Sequence, residues 1–299
     1  MIIRPKVNQF AILFTLKGSI AKRIALRTLM VTLLASAIVL IEILHPSNFT
    51  KVNATPFTLL GLSLSIFMNF RNNACYDRWY EARKAWGDVL VHIRSVIRET
   101  HVIRESAQRK LLLLNLCGFA HALNARLRRE SEAAASSDWI TPKHDARVPD
   151  YSGRILQQVG QQCSDLHQSG ELSEWRYMLL ANHLTSLTQA QAVCERIKNT
   201  PLPFPYTLLL HRTIYLFCIL LPFAMAEPLG WLTPLFTAIV SYTFFGLDAI
   251  ADELEDPFGR DENDLATDSL VRTIERDILS ELGETDLPPM LLPVDYVLS

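Results

Sequence analysis

Leu62, Ile66 and Phe70 recur at i, i+4 and i+8, so a helix running through them stacks the three side chains along one face. By spacing alone, such a row is the packing face of an ordinary helix. Beside it lie Gly61, Ser63, Ser65 and Asn69. Small residues suit close helix packing in a membrane; Gly61 and Ser63 read that way, while Ser65 and Asn69 could equally touch water. A second chemically interesting stretch is acidic: Glu253-Leu-Glu-Asp256, then Asp261-Glu-Asn-Asp264. Its oxygens suit a hard cation, and they also read as a solvated turn capping a helix over Leu265–Leu282. Enzymatic chemistry finds no comparable foothold. The eight histidines are dispersed, and there is no Gly-x-Ser-x-Gly, His-Glu-x-x-His, P-loop or dinucleotide fingerprint. Cys75, Cys117, Cys163, Cys194 and Cys218 show no Cys-x-x-Cys spacing and read as free thiols in a reducing compartment.

The elements that position these residues must be largely apolar. Hydrophobic residues make up 49% of the chain and mean hydropathy is +0.15, yet 20% of residues are charged, so a membrane part and an aqueous part should coexist. The net charge of −2, with no basic block or aromatic RNA-binding motif, gives nucleic-acid binding no support. A bilayer-spanning helix needs roughly 20 mostly apolar residues. The first candidate is Ile24 to Leu44, with its charges Arg27 and Glu42 near the ends. The second starts at Thr55-Pro56 and runs through Phe57 to Phe70; no Gly or Pro interrupts Leu62 to Trp86, which predicts one long helix leaving the bilayer near Arg71. Tyr206 to Ala226 and Trp231 to Ile250 form an antiparallel pair joined by Glu227-Pro-Leu-Gly230, with Pro222 and Pro234 expected to kink or break the helices. Between the pairs, Arg83–Arg104, Arg109–Glu130 and Ser173–Lys198 show helical spacing around a polar loop with Pro142 and Pro149. The tail after Leu282 reads as irregular.

Positive charge sets the orientation. Arg4, Lys6, Lys17, Lys22, Arg23 and Arg27 precede or open the first span with no acid among them, whereas His45 to Thr55 carries only Lys51 and the 227–230 turn carries no base. Both termini are therefore expected in the cytoplasm. No small-residue cleavage site follows the basic amino terminus, so a cleaved signal peptide is not expected. His211 and Arg212 open the third span, where Arg212 could pair with Asp248 or Asp252 of the antiparallel neighbour. Arg71, Arg78, Arg83 and Asp77 suggest interhelix or intersubunit pairs, and Trp79, Trp86 and Trp231 packing or interface anchors.

Longer runs are more specific. Cys194-Glu-Arg-Ile-Lys-Asn-Thr-Pro-Leu-Pro-Phe-Pro-Tyr206 with Leu210-His-Arg-Thr213, Ser241-Tyr-Thr-Phe-Phe-Gly-Leu-Asp248 leading to Glu253-Leu-Glu-Asp-Pro-Phe-Gly259, and Phe67-Met-Asn-Phe-Arg-Asn-Asn73 with Tyr76-Asp-Arg-Trp79 resemble the bacterial branch of the bestrophin family. The resemblance covers nearly the whole chain in order. It implies an all-α membrane protein with four transmembrane helices per subunit, long helices extending into a cytosolic helical domain, and a homopentamer around one central pore. The implied pore has a neck of three apolar rings on Leu62, Ile66 and Phe70, able to close by expelling water, and a cytosolic aperture at Leu180. Leu180 also reads as a core leucine. Some eukaryotic members hold Ca²⁺ in the acidic segment; the matching positions are Asp261 and Asp264, with Glu253 and Asp256 contributing carbonyls, but Arg260 and Asn263 interrupt the run of acids and count against calcium, so no cofactor is expected.

The expected organisation is a cytosolic segment at 1–23, membrane helices in 24–70 with the pore helix from 56, a cytosolic helical domain at 71–205, membrane helices in 206–250, and a cytosolic segment with the acidic loop at 251–299. Partners are further copies of the chain, lipid and the permeating monovalent ions, in a bacterial inner membrane. No Lys or Arg lies on the neck face between Pro56 and Phe70, and Glu195, Asp248 and Asp252 could line a vestibule, so cations such as sodium are expected, with chloride or other anions as the alternative. A non-conducting scaffold, a membrane enzyme and a secondary transporter are the rival classes.

Overall fold

The computed structural model describes residues 1–4, 15, 17–45, 53–145 and 148–299, and among these the chain is almost entirely helical. Lys6 and Lys51 of the charge-based orientation lie outside the described residues. The helices are α1 (Ala21–Leu44), α2 (Thr55–Glu99), α3 (Ser106–Leu127), α4 (Glu132–Ser136), α5 (Tyr151–Gln168), α6 (Glu174–Asn199), α7 (Phe204–Leu229), α8 (Thr233–Glu255) and α9 (Thr267–Glu281). They fall into two compact units, an apolar one of Pro5–Trp79 and Pro201–Glu255 and a polar one of Met1–Arg4, Tyr80–Thr200 and Asp256–Ser299. As expected of a stretch without an internal breaker, α2 is a single unbroken helix of 45 residues.

In the apolar unit, α1, the first part of α2, α7 and α8 bury one cluster. Ile24 and Val31 meet Leu64 and Met68, Leu210, Ile214, Phe217 and Leu221, and Phe244 and Phe245. Residues of this size are worth roughly 1.5–3 kcal/mol each when fully buried. Gly61 lets α2 approach α7, because a Cβ there would stand 3.1 Å from the Phe217 ring. Pro222 and Pro228 sit inside α7, which continues through both. Pro234 does not break a helix either, since it is the second residue of α8, where the missing N–H has no intrahelical acceptor. A 3₁₀ turn at Gly230–Leu232, with Gly230 at φ 50°, reverses the chain between α7 and α8. Among the described residues, α1 and the Phe204–Glu255 stretch are long and apolar enough to cross a bilayer, whereas the first part of α2 does not meet the same measure.

The polar unit is built round α3, whose Leu112, Leu113, Leu116, Phe119 and Leu123 are fully buried. It packs against α4, α5, α6 and α9. Helix α5 was not expected. Its Ile155, Leu156, Val159, Cys163 and Leu166 form one buried stripe, and Asp150 caps its start by accepting from the Gly153 N–H. The loop before it is pinned by Asn115, which exchanges two hydrogen bonds with the backbone of Thr141. Arg126 ties α3 to Glu132 and Glu195. The tail is irregular after α9 but not loose: the Leu298 N–H donates to Met1 O and the Ile3 N–H to Tyr296 O.

Candidate ion pathway

Two residues along a helix are about 200° around it, and α2 uses that rotation to present two different faces. Leu64, Met68 and Cys75 are buried on the side toward the apolar core. Leu62, Ile66 and Phe70 are 61%, 49% and 59% exposed on the other. The three side chains thus share a face, as their spacing requires, and that face is not covered by the subunit's own core. Ser63, Ser65 and Asn69 are also exposed, and the Ser65 hydroxyl donates back to the Gly61 carbonyl. Gly61 takes the packing role expected of it; Ser63 is not covered within the subunit.

Immediately after Phe70 the helix changes character. Arg71 is fully buried, and its guanidinium donates to Asp248 Oδ1 and Asp252 Oδ1, both at 2.6 Å, with Glu255 Oε2 at 3.9 Å. Asp248 has no exposed surface, and its Oδ2 lies 2.9 Å from Nδ1 of His211 on α7. A carboxylate only accepts, so His211 carries its proton on Nδ1 in this contact. Two turns further along α2, Arg78 Nε donates to the Glu255 carbonyl. The expected pairing of Arg212 with Asp248 or Asp252 is therefore replaced. Arg71 holds both carboxylates, and Arg212 is exposed in the subunit. An arginine suits this place because its planar fork can serve two carboxylates at once while staying charged.

These pairs bear on ion preference. Asp248 and Asp252 are committed to Arg71, and Glu195 accepts from Arg126 Nε at 2.8 Å and from the Gln191 side chain. The three acids expected to attract cations are each bonded to an arginine of the same subunit, Asp248 and Asp252 sharing one, so none stands free to line a vestibule and that argument for cation conduction is weakened.

Leu180 was expected at a cytosolic aperture. It is fully buried in the polar unit, so it offers no side chain to a lumen, and the core-leucine alternative describes it. The exposed apolar residues at the start of α6 are Trp175 and Met178.

The acidic segment is also spoken for. Asp264 Oδ2 accepts from the Asp261 N–H at 2.8 Å and lies so close to Gly259 that a Cβ there would be 2.4 Å from it. This explains the glycine of the Asp-Pro-Phe-Gly run. Burial pushes the Asp264 carboxyl up to about 6. Asp256 pairs with Lys198 at 2.9 Å and Glu253 with Arg23 at 3.5 Å. Arg260, which interrupts the acids, bonds Glu130 and Asp268. Among the described residues, no three His, Cys, Asp or Glu side chains converge as a metal would need. With Asp264 already accepting from the Asp261 N–H and no third carboxylate beside them, the calcium expectation at Asp261, Asp264, Glu253 and Asp256 is not carried further.

Comparison with known proteins gives this arrangement its context. The family described as Bacterial/Fungal Bestrophin protein matches residues 1–280. The chain belongs to the bacterial and fungal bestrophin family. It is similar to a voltage-dependent anion channel-forming protein of Mesorhizobium japonicum, 39% identical over 298 residues, with 99% of this chain and 96% of that protein covered. The protein of the same description from Escherichia coli K12 is 37% identical, with 98% of each chain covered. Among solved structures, a bacterial bestrophin homologue from Klebsiella pneumoniae aligns with a TM-score of 0.83 at 36% identity, over 87% of this chain and 99% of that one. The bestrophin resemblance drawn from the sequence runs is confirmed, as are its helical architecture and its place among ion-channel and membrane proteins. The names of the relatives favour the anion alternative over the expected cation.

Proposed function

We propose that this bestrophin is one subunit of a homopentameric channel in a bacterial inner membrane, conducting monovalent anions through a central pore. In this reading α1, the first part of α2, α7 and α8 are the four spans, both termini are cytoplasmic, and Leu62, Ile66 and Phe70 form the neck. The observation that carries it is the two-faced α2: a helix packed by Leu64 and Met68 leaves an apolar row facing outward, and an exposed apolar row of that kind calls for a partner surface. The same stretch is too polar to meet the spanning measure that α1 meets, which suits a helix wetted on one side. Five copies around an axis would give three apolar collars, where an ion loses hydration that the wall does not replace.

The anion assignment rests on the relatives' names and on the internal pairing of Glu195, Asp248 and Asp252. No full charge on the neck enforces selectivity, so discrimination should be modest. The test is purified protein in planar bilayers under a potassium chloride gradient. A reversal potential of anion sign is expected; the opposite sign overturns the anion assignment and leaves the channel. Ile66→Ala and Phe70→Ala are expected to raise flux, and background flux from both variants in an intact oligomer overturns conduction itself.

A further inference from the structure

The cluster behind the neck has a charge imbalance within reach of a proton. Arg71 contributes one positive charge, while Asp248 and Asp252, each 2.6 Å from it, contribute two negative ones. Arg71 and Asp248 are without exposed side-chain surface, so the surplus negative charge is poorly solvated. Glu255, at 3.9 Å from Arg71, adds to it. Among the described residues, the titratable cation-former in direct contact is His211, whose side chain is 40% exposed and reaches Asp248 Oδ2 with Nδ1. On its other side the His211 ring lies 4.9 Å from the Tyr215 ring, and Arg27 of α1 stands over Tyr215 at 5.8 Å. The charged and titratable groups facing this cluster come from four helices: α8 supplies Asp248, Asp252 and Glu255, α2 supplies Arg71, α7 supplies Tyr215 and α1 supplies Arg27.

We propose that Arg71 is a positioning residue for the neck and that His211 makes its grip proton-sensitive. When His211 is neutral it donates Nδ1–H to Asp248 and the cluster keeps its surplus negative charge. When His211 takes up a proton on Nε2, a second cation faces Asp248 and Asp252 and offsets the surplus, and α2, α7 and α8 are drawn together behind Phe70. Arg71 is bonded to Phe70 through one peptide, so whatever fixes its guanidinium on α8 also fixes the rotation at which Phe70 meets the axis. Acid therefore holds the neck shut, and alkali loosens it.

This inference rests on the channel reading, and one experiment separates the two. The full-length oligomer is reconstituted in liposomes and anion flux is measured with a chloride-sensitive dye at matched internal and external pH. Flux is expected to rise roughly fivefold or more from about pH 5.5 to about pH 7.5, a coupling of ordinary allosteric size. His211→Gln keeps a donor toward Asp248 but cannot take the charge, and its flux should be flat and high over that range. Arg71→Lys keeps the charge but not the two-carboxylate fork, and should conduct more than the parent at the acidic end. If Phe70→Ala conducts while His211→Gln has the pH profile of the parent, the proton-sensitive clamp is wrong and the channel stands. A profile of opposite slope also overturns it. If neither parent nor Phe70→Ala conducts, the channel reading itself fails.

Discussion

His92 on α2 and His183 on α6 face each other with their Nδ1 atoms 3.2 Å apart, so one imidazole donates its proton to the other. The pair can hold one such hydrogen only while at least one ring is neutral. Burial and the neighbouring His92, with Arg98 adding to them and Glu99 opposing, hold His183 below the usual histidine value. A group with a depressed folded value binds fewer protons folded than unfolded, so its contribution is complete above about pH 6.5 and is lost as pH falls. Replacing His92 by Gln removes the repulsive partner. The fall in thermal midpoint between about pH 7 and about pH 5 should be smaller in His92→Gln than in the parent, measured in detergent with the oligomer intact. Equal falls would show that the pair carries no such load.

Two other groups of the polar unit pull in opposite directions. His121, stacked on Trp139, is pushed down to about 4 by burial, whereas burial lifts Asp264 to about 6. His121 costs stability as pH falls through 6.5 toward 4; Asp264 costs stability as pH rises from its ordinary value toward 6. In the parent these slopes offset. Asp264→Asn should expose the histidine slope, a loss of about 2 kcal/mol between about pH 7 and about pH 5, and His121→Gln should leave stability falling as pH rises across the acid range. Chemical unfolding curves at several pH values read both.

Gly118 on α3 admits the side chain of Ile140 against its backbone. A Cβ there would stand 2.6 Å from Ile140 Cγ1 and 3.3 Å from Trp139 Cβ. Gly118→Ala should therefore destabilise by about 1–3 kcal/mol despite the better helix propensity of alanine. Adding Ile140→Val should return part of that loss, and a double variant no better than the single one would place the strain elsewhere.

All five cysteines are free and buried. In the polar unit, burial pushes the Cys163 and Cys194 thiols up to about 12 and raises Cys117 as well. The thiolate is the reactive form, so alkylation of the native protein by a small maleimide should be slow at neutral pH and should become complete on unfolding. Rapid native labelling at Cys163 or Cys194 would contradict this burial. Mass spectrometry of timed digests gives the answer residue by residue.

Much of the helical layout is legible in the residues themselves. The absence of Gly and Pro from Leu62 to Trp86 predicts the continuity of α2, and the length of the apolar runs predicts α1, α7 and α8. Helix α5 is missed because its apolar residues are diluted by Gln157, Gln158, Gln161 and Gln162, which leaves a stripe narrow enough to pass for loop; Asp150 three residues before Gly153 is the capping signal that could have found it. The pairing of Arg71 with Asp248 spans 177 residues, and nothing local distinguishes it from the nearer and equally charged Arg212. Leu180 shows a different failing: its helix is read correctly, but which way a leucine points on it is settled only by what packs there. Proline is the converse case, since Pro222 reads as a breaker and the surrounding helices keep α7 whole.

Because Leu64 and Met68 point inward while Leu62 and Ile66, each two positions before them, point away, neighbouring codons of α2 should fail in different ways. Random mutagenesis of this stretch would then sort into two populations: variants at 64 and 68 recovered in poor yield, and variants at 62 and 66 recovered in normal yield with altered current. Loss of yield and altered current would alternate every second residue over nearly two turns of helix.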